Sequence, residues 1–408
     1  MLLLLLLLLL LLLLLLLLRL CGNSKLTHAL RTTPPDCVRE AARSFDEATL
    51  KSYETLASLD PLADQQKEQC RLPLRLGGRG LRSQERTAPA AWLGSWAQNL
   101  AAVTERSGVD SLEDLDTCDL PLAAACREAL AALPPAPASG GDDTDDLPSW
   151  RELALEPRKK IQRMFSRRID KRTYSDLLTS MDASNRARLR SCGGPLGSAW
   201  QLAAPASPAE RLEDADYEVT ARALLGQDCA PADATCRNKR STGAALGELC
   251  GDALCPKGHH SYRCAIGGGL KRRSIGCERV WERIHAECGF QTEREVHVPG
   301  WDRWRSHCTS PTCHHRGLAY APPAGLCPEC GTLLDAKREE AILDLEVRSA
   351  TVPRLYLDIT IHHSVPGDAP RLARAADRDG AVNAEAESET ADRYSAGRTP
   401  WRAVALAQ

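Results

Sequence analysis

What most constrains this chain is the placement of its cysteines: eleven of the seventeen lie beyond residue 228, in short pairs interleaved with histidine. Only 4% of the residues are aromatic, so such a stretch has little apolar material for a core and must be held by something else. Histidines close to the thiols, and an odd cysteine count, fit metal ligation in a reducing, intracellular compartment better than a disulfide framework. The first cluster reads Cys250, four residues, Cys255, three residues, His259, four residues, Cys264, with His260 as a competing third ligand. The second reads Cys308, four residues, Cys313, thirteen residues, Cys327, two residues, Cys330, with His307, His314 and His315 as substitutes. Gly331 suits the tight knuckle in which backbone amides approach thiolates. Four ligands in each cluster leave no open position, which predicts two structural zinc ions.

Beyond the second cluster, residues 341–347 (AILDLEV) and 354–361 (RLYLDITI) read as two strands joined through Pro353 into a β-hairpin. Asp344 and Asp358 stand inside them. Buried carboxylates are costly unless paired or metal-bound, so these two, with Glu295 as a third, form a candidate catalytic magnesium site. Such an ion would bridge a scissile phosphate and activate a water. Alternation argues the other way, because it places Leu343, Leu345 and Val347 on the face opposite Asp344, as in a hairpin with solvent-facing carboxylates. No lysine accompanies the second strand: Thr360 stands where a nuclease of this type carries a basic residue.

The net charge of −2 conceals basic stretches at 156–172 and 270–273 beside the acidic GDDTDD. Lys271, Arg272 and Arg273 are the expected phosphate contacts to nucleic acid, giving mainly nonspecific, salt-dependent affinity. At the other end, Met1 is followed by seventeen leucines, Leu2 to Leu18. That run approaches the about 20 apolar residues of a bilayer span and the length of a signal-peptide core, without a basic n-region or a small-residue cleavage site. It points to membrane association or the secretory pathway, or else to a translated nucleotide repeat.

Organisation follows composition. The poly-leucine segment covers 1–20, a helical region 21–132, a Pro/Gly/Asp linker 133–148 and a second helical region 149–228. A Cys/His module with a basic segment covers 229–290, the four-cysteine insert and acidic hairpin 291–366, and a polar tail 367–408. Pro73 with Gly77, Gly78 and Gly80 marks a tight turn that lacks the lysine-serine ending of a phosphate loop. A helix from Pro89 places Trp92 and Trp96 on one face, as core residues. The fold class is α+β: a mostly helical amino-terminal half, then zinc-stapled modules and a β-hairpin.

LPLRLGGRGLRS, CGGPLGSAW, LEDADYEVTARALLG, the Cys/His cluster followed by GGGLKRRSIG, and the closing RLYLDITI occur in an order that resembles the region downstream of the reverse transcriptase core in non-LTR (LINE-like) retrotransposon proteins. The likeness spans about residues 65 to 395. It implies a zinc knuckle at Cys250, Cys255, His259 and Cys264, then a restriction-endonuclease-like domain that nicks DNA in some members, with Asp344 and Asp358 as carboxylates and Tyr394 as a late tyrosine. The family's lysine before that tyrosine is missing, and no segment reads as the polymerase. The implied protein is a nuclear, nucleic-acid-binding fragment with residual magnesium-dependent endonuclease chemistry. The competing expectation is a non-enzymatic zinc scaffold for protein partners, tethered by the leucines.

Overall fold

The computed structural model describes residues 10–107, 121–135, 161–202, 212–240, 245–319, 322–350, 353–394 and 401–407. The expected linker at 133–148 lies outside them beyond residue 135, as does the first part of the basic stretch that begins at residue 156. The chain divides into two compact units: Met1–Pro231 with Ala376–Asp379, and Ala232–Ala375 with Gly380–Gln408. Among the described residues the first is helical and the second carries both β-sheets, an α+β arrangement in the expected order.

Among the described residues the longer helices of the first unit are α1 (Leu10–Leu17), α2 (Thr27–Thr32), α3 (Pro35–Leu56), α4 (Asp64–Arg71), α5 (Gln84–Ser107), α6 (Pro121–Ala131), α7 (Ile161–Ser180), α8 (Ala183–Cys192) and α9 (Asp214–Leu225). Pro73 follows α4, and the chain then turns through Gly77, whose φ is 76°. A Cβ on Gly78 would lie 2.0 Å from the Leu72 carbonyl oxygen. This close turn delivers Arg79 into the core, where it is 1% exposed. Its guanidinium donates to Tyr53 Oη at 2.7 Å, Gln201 Oε1 at 2.9 Å and Tyr217 Oη at 3.3 Å, which satisfies a buried charge with neutral acceptors. Leu15, Leu50, Cys70, Leu81, Ala221 and Leu225 pack in the same cluster as Tyr53 and Tyr217.

The leucine run is corrected here. Leu15 and Leu16 are buried, Leu15 within that cluster, and α1 is eight residues long. No helix among the described residues is long and apolar enough to cross a membrane, so the expected transmembrane-like amino terminus and membrane partner do not stand. Leu2 to Leu9 lie outside the described residues. The helix expected from Pro89 begins at Gln84, because the Asp46 carboxylate on α3 caps it, accepting the Gln84 N–H at 2.7 Å and the Ser83 hydroxyl at 2.6 Å. Trp92 is buried with Leu93, Leu100, Cys126 and Phe165, and Trp96 packs against that cluster.

The second unit contains α10 (His259–Arg263), α11 (Gly269–Glu287), β1 (Gln291–His297), β2 (Arg303–Cys308), β3 (Arg316–Ala319), β4 (Leu334–Glu339), β5 (Ile342–Arg348) and β6 (Leu355–His362). The expected hairpin is β5–β6, an antiparallel pair. It sits inside a four-stranded sheet of order β1-β5-β6 followed by the strand Trp401–Ala407, β7, which runs parallel to β6. The polar tail therefore supplies a strand. Strands β2, β3 and β4 form a separate antiparallel sheet inserted between β1 and β5. One face of the larger sheet packs Leu345, Val347 and Leu357 with Trp281 of α11 and Phe290, while Leu343 and Tyr356 pack with Trp301 and Tyr394.

Asp302 ties the neck of the insert. It accepts from the Ala341 N–H at 2.8 Å, from His297 Nε2 at 2.9 Å and from Arg338 Nε at 3.0 Å, joining the end of β1, the strand β4 and the start of β5. Burial alone would raise its carboxyl, but the Ala341 amide, Arg338 and His297 outweigh that and hold it at about 2. A depressed folded value means the contribution is complete above the ordinary carboxyl value of about 3.9 and is lost as pH falls toward 2. Asp302→Asn should cost ~1–3 kcal/mol by weakening acceptance from a buried amide. Urea unfolding at pH 6 and pH 3 measures this, and the gap between variant and wild type should narrow at the lower pH.

Candidate metal centres and an acidic cleft

The chain gathers two groups of thiol and imidazole ligands. In the first, Cys236, Cys250, His260 and Cys264 bring their ligand atoms within 4.8 Å of one another. Sulfur separations are 3.7 Å for Cys236–Cys264 and 3.8 Å for Cys264–Cys250, with Cys250 Sγ 3.5 Å from His260 Nε2. Zinc–sulfur bonds of about 2.3 Å in a tetrahedron give edges of about 3.8 Å, and disulfides would need about 2.05 Å. Burial acts to raise the Cys264 thiol, yet Asn238, Ile266, Cys236 and His260 outweigh it and bring it down to about 7.

Two expected ligands stand elsewhere. Cys255 Sγ accepts the His259 N–H at 3.1 Å, and His259 Nδ1 lies 2.9 Å from His363 Nε2. Adjacent residues on a helix point about 100° apart, so only one of His259 and His260 can face the thiols, and it is His260. Cys236 takes the position expected of Cys255. Its signal was present, because thirteen residues separate Cys236 from Cys250, as they do Cys313 from Cys327.

The second group is the expected one: Cys308, Cys313, Cys327 and Cys330. Cys308 and Cys330 are 3.4 Å apart, Cys313 and Cys327 3.8 Å. Gly331, at φ 72°, donates to the Cys327 carbonyl at 2.9 Å, forming the knuckle. Hydrogen bonds from Thr332 and Cys308 draw the Cys330 thiol down to about 6. Each group offers four ligand atoms, a closed set that suits structural zinc.

A cleft of about 480 Å³ opens where β5 and β6 part. The two strands pair only from Leu345↔Leu357 to Val347↔Leu355. Just past that point Asp344 Oδ2 accepts the Ile359 N–H at 2.6 Å, a side chain taking over from the backbone ladder. On the other side, the pairs Arg294↔Leu345 and Val296↔Leu343 leave Glu295 across from Asp344, and Glu295 adopts φ 51°. Positive φ is strained for glutamate. The irregularity has a consequence for β5: Leu343 packs with Trp301 and Tyr356, while Leu345 packs with Trp281 and Leu357. Residues two apart on a regular strand share a face, so the alternation expected from sequence breaks here. Asp344 and Glu295 both line the cleft beneath α11, with Glu278, Lys271, Arg273, Thr360 and His363.

Glu278 is buried and held by Arg294 and by the Ser274 hydroxyl at 3.3 Å. No motif in CERVWERIH singles Glu278 out by sequence. Asp358, expected as the second carboxylate, does not line this cleft, and its backbone partner on β7 is Ala403. Nor do the cleft carboxylates converge as the thiols do: among the described residues only the two cysteine groups gather three or more ligand atoms within 4.8 Å.

The expected nucleic-acid surface is also corrected. Arg273 donates to the Tyr262 carbonyl at 2.7 Å and lies over the Tyr262 ring, 5.8 Å from its centroid. Lys271 lines the cleft beside it, and Arg272 does not. Glu278, Glu295 and Asp344 line the same space as Lys271 and Arg273, so Lys271, Arg272 and Arg273 build no basic face for a phosphate backbone. Comparison with known proteins brings no relative: no family model matches the chain, and no curated protein sequence aligns with it significantly.

Two outcomes are expected. Mass analysis of the folded protein should find two zinc ions per chain; Cys236→Ser should reduce this to one, and Cys255→Ser should leave two. Removing zinc from the first cluster should also loosen the cleft wall, since His260 and His259 are neighbours on α10 and His259 holds His363. Hydrogen exchange should then rise in residues 355–363 as well as 236–264.

Proposed function

We propose that the second unit is a zinc-organised hydrolase that cleaves a phosphate ester in the acidic cleft, and that the chain derives from the post-polymerase region of a non-LTR retrotransposon protein. The observation that carries the reading is that Glu278, Glu295 and Asp344 line one cleft together with Lys271 and Arg273. An all-oxygen donor set suits magnesium and not zinc. Glu295 and Asp344, which stand across from each other on β1 and β5, would hold that ion with water completing its shell; when bound it would polarise the phosphoryl group and acidify water. The chain's own residues do the rest. Arg273, fixed by Tyr262, orients a phosphoryl oxygen, and the parted strands admit the ester beside Asp344. In the reaction a water oxygen bonds to phosphorus and the ester P–O bond breaks. One water proton leaves to solvent, and the departing oxygen takes a proton from solvent.

The test is hydrolysis of bis(4-nitrophenyl) phosphate by the full-length, zinc-loaded protein with magnesium or manganese. Cation-dependent release of nitrophenolate is expected, falling on the order of 100-fold or more in Asp344→Asn while zinc content stays at two. No release by wild type, or equal release by the variant, would sink the proposal. A second reading, a zinc-stabilised scaffold for protein partners, is favoured by Leu318, Leu326 and Leu333, which the four-cysteine module leaves 53%, 57% and 66% exposed. That reading requires no effect of Asp344→Asn on any function of the chain.

A further inference from the structure

We infer that the first unit carries a binding site for a phosphate-sized oxyanion, built around the buried guanidinium of Arg19. The site is a cavity of about 230 Å³ bordered by α2, α5 and α7. Two arginines, Arg19 and Arg82, line it with the polar side chains of Asn23, Thr27, Gln84 and Ser166, and none of its described lining residues is acidic. Arg82 is neutralised by Asp170 at 2.6 Å, a carboxylate it shares with Arg75. Arg19 has no such partner. It is 8% exposed, and its Nε and Nη1 donate to the backbone carbonyls of Arg79 at 2.8 Å and Gln201 at 3.1 Å. Nη2 is buried without a hydrogen-bond partner among the described residues, so it is what Arg19 has left to offer the cavity. A buried donor on a cation is more costly to leave unmatched than a neutral one.

The charge around Arg19 makes the same demand. Arg79 stands beside it, and the Tyr53, Gln201 and Tyr217 acceptors satisfy the Arg79 N–H groups without bringing negative charge. Burial and the Arg79 cation together push Arg19 down to about 10. The Asp46 carboxylate is taken up by the Ser83 hydroxyl and the amides of Gln84 and Glu85. Water on Nη2 would satisfy the donor and leave the charge, whereas an anion answers both. A planar guanidinium matches the oxygens of a phosphate, and unlike a lysine it does not escape burial by losing its proton. Gly80 helps to seat it: at φ 71°, a Cβ there would lie 3.1 Å from Arg19 Cδ and Nε.

Calorimetric titration of the full-length, zinc-loaded protein with inorganic phosphate, in a phosphate-free chloride buffer, tests the site. Saturable binding is expected, with a melting temperature that rises as phosphate is added. Arg19→Met should weaken phosphate binding about tenfold or more and make the melting temperature insensitive to phosphate. Thr27→Asp places a carboxylate at the cavity wall and should weaken phosphate to a similar degree, which keeps the test decisive if Arg19→Met does not fold. Adenosine monophosphate that competes with phosphate would identify the oxyanion as the end of a larger molecule. Phosphate binding without that competition would identify a free ion, and either result supports the site. Absence of saturable binding by wild type overturns it. So does an affinity within about threefold of wild type in Arg19→Met or, where that variant does not fold, in Thr27→Asp.

Discussion

The second unit depends on thiolates and imidazole being drawn to one point. Between Pro299 and Ala341 the buried apolar residues among those described are Trp301, Cys308, Cys327 and Ala341, which is too little to offset the about 1–2 kcal/mol of backbone entropy lost per ordered residue. Two of those four, Cys308 and Cys327, belong to the four-cysteine group suited to hold a metal ion. A structural zinc ion in such a setting contributes on the order of 10 kcal/mol, in addition to the hydrogen-bonded ladder of β2, β3 and β4. The Asp302 carboxylate then transmits that order to the larger sheet, since it joins His297, Arg338 and Ala341 across the neck of the insert.

The first cluster acts on the cleft in a different way. Its ligand His260 and the cleft-facing Tyr262 share the one-turn helix α10, and His259 of the same turn reaches His363 at the end of β6. Three contacts follow from fixing that single turn: the His259–His363 hydrogen bond, the His363–Tyr262 stack and the Arg273 guanidinium over Tyr262. The sheet supplies the opposite wall through a local irregularity. Glu295 in a left-handed conformation and the early end of the β5–β6 ladder turn two carboxylates toward α11 at a place where regular strands would have hidden one of them.

What could be read from the sequence tracks how local the determining physics is. The second cluster was legible because a pair two residues apart followed by glycine specifies its own knuckle, and the hairpin because β-branched and leucine-rich runs flank a proline. Choosing His260 over His259 needed the phase of a one-turn helix, which spacing does not contain. The carboxylate trio was half legible: Asp344 and Glu295 were found, Glu278 was not. Its burial is created by the sheet that α11 covers, not by any pattern in CERVWERIH. Positive φ at a glutamate has no sequence signature, so the break in alternation that brings Asp344 into the cleft could not be foreseen. The strand β7 was missed for a related reason, because an alanine-rich segment gains strand character only beside β6. The leucine run misled in the opposite sense: length and apolarity suggested a lipid environment, whereas Leu15 finds its apolar surroundings among Tyr53, Leu50 and Leu225.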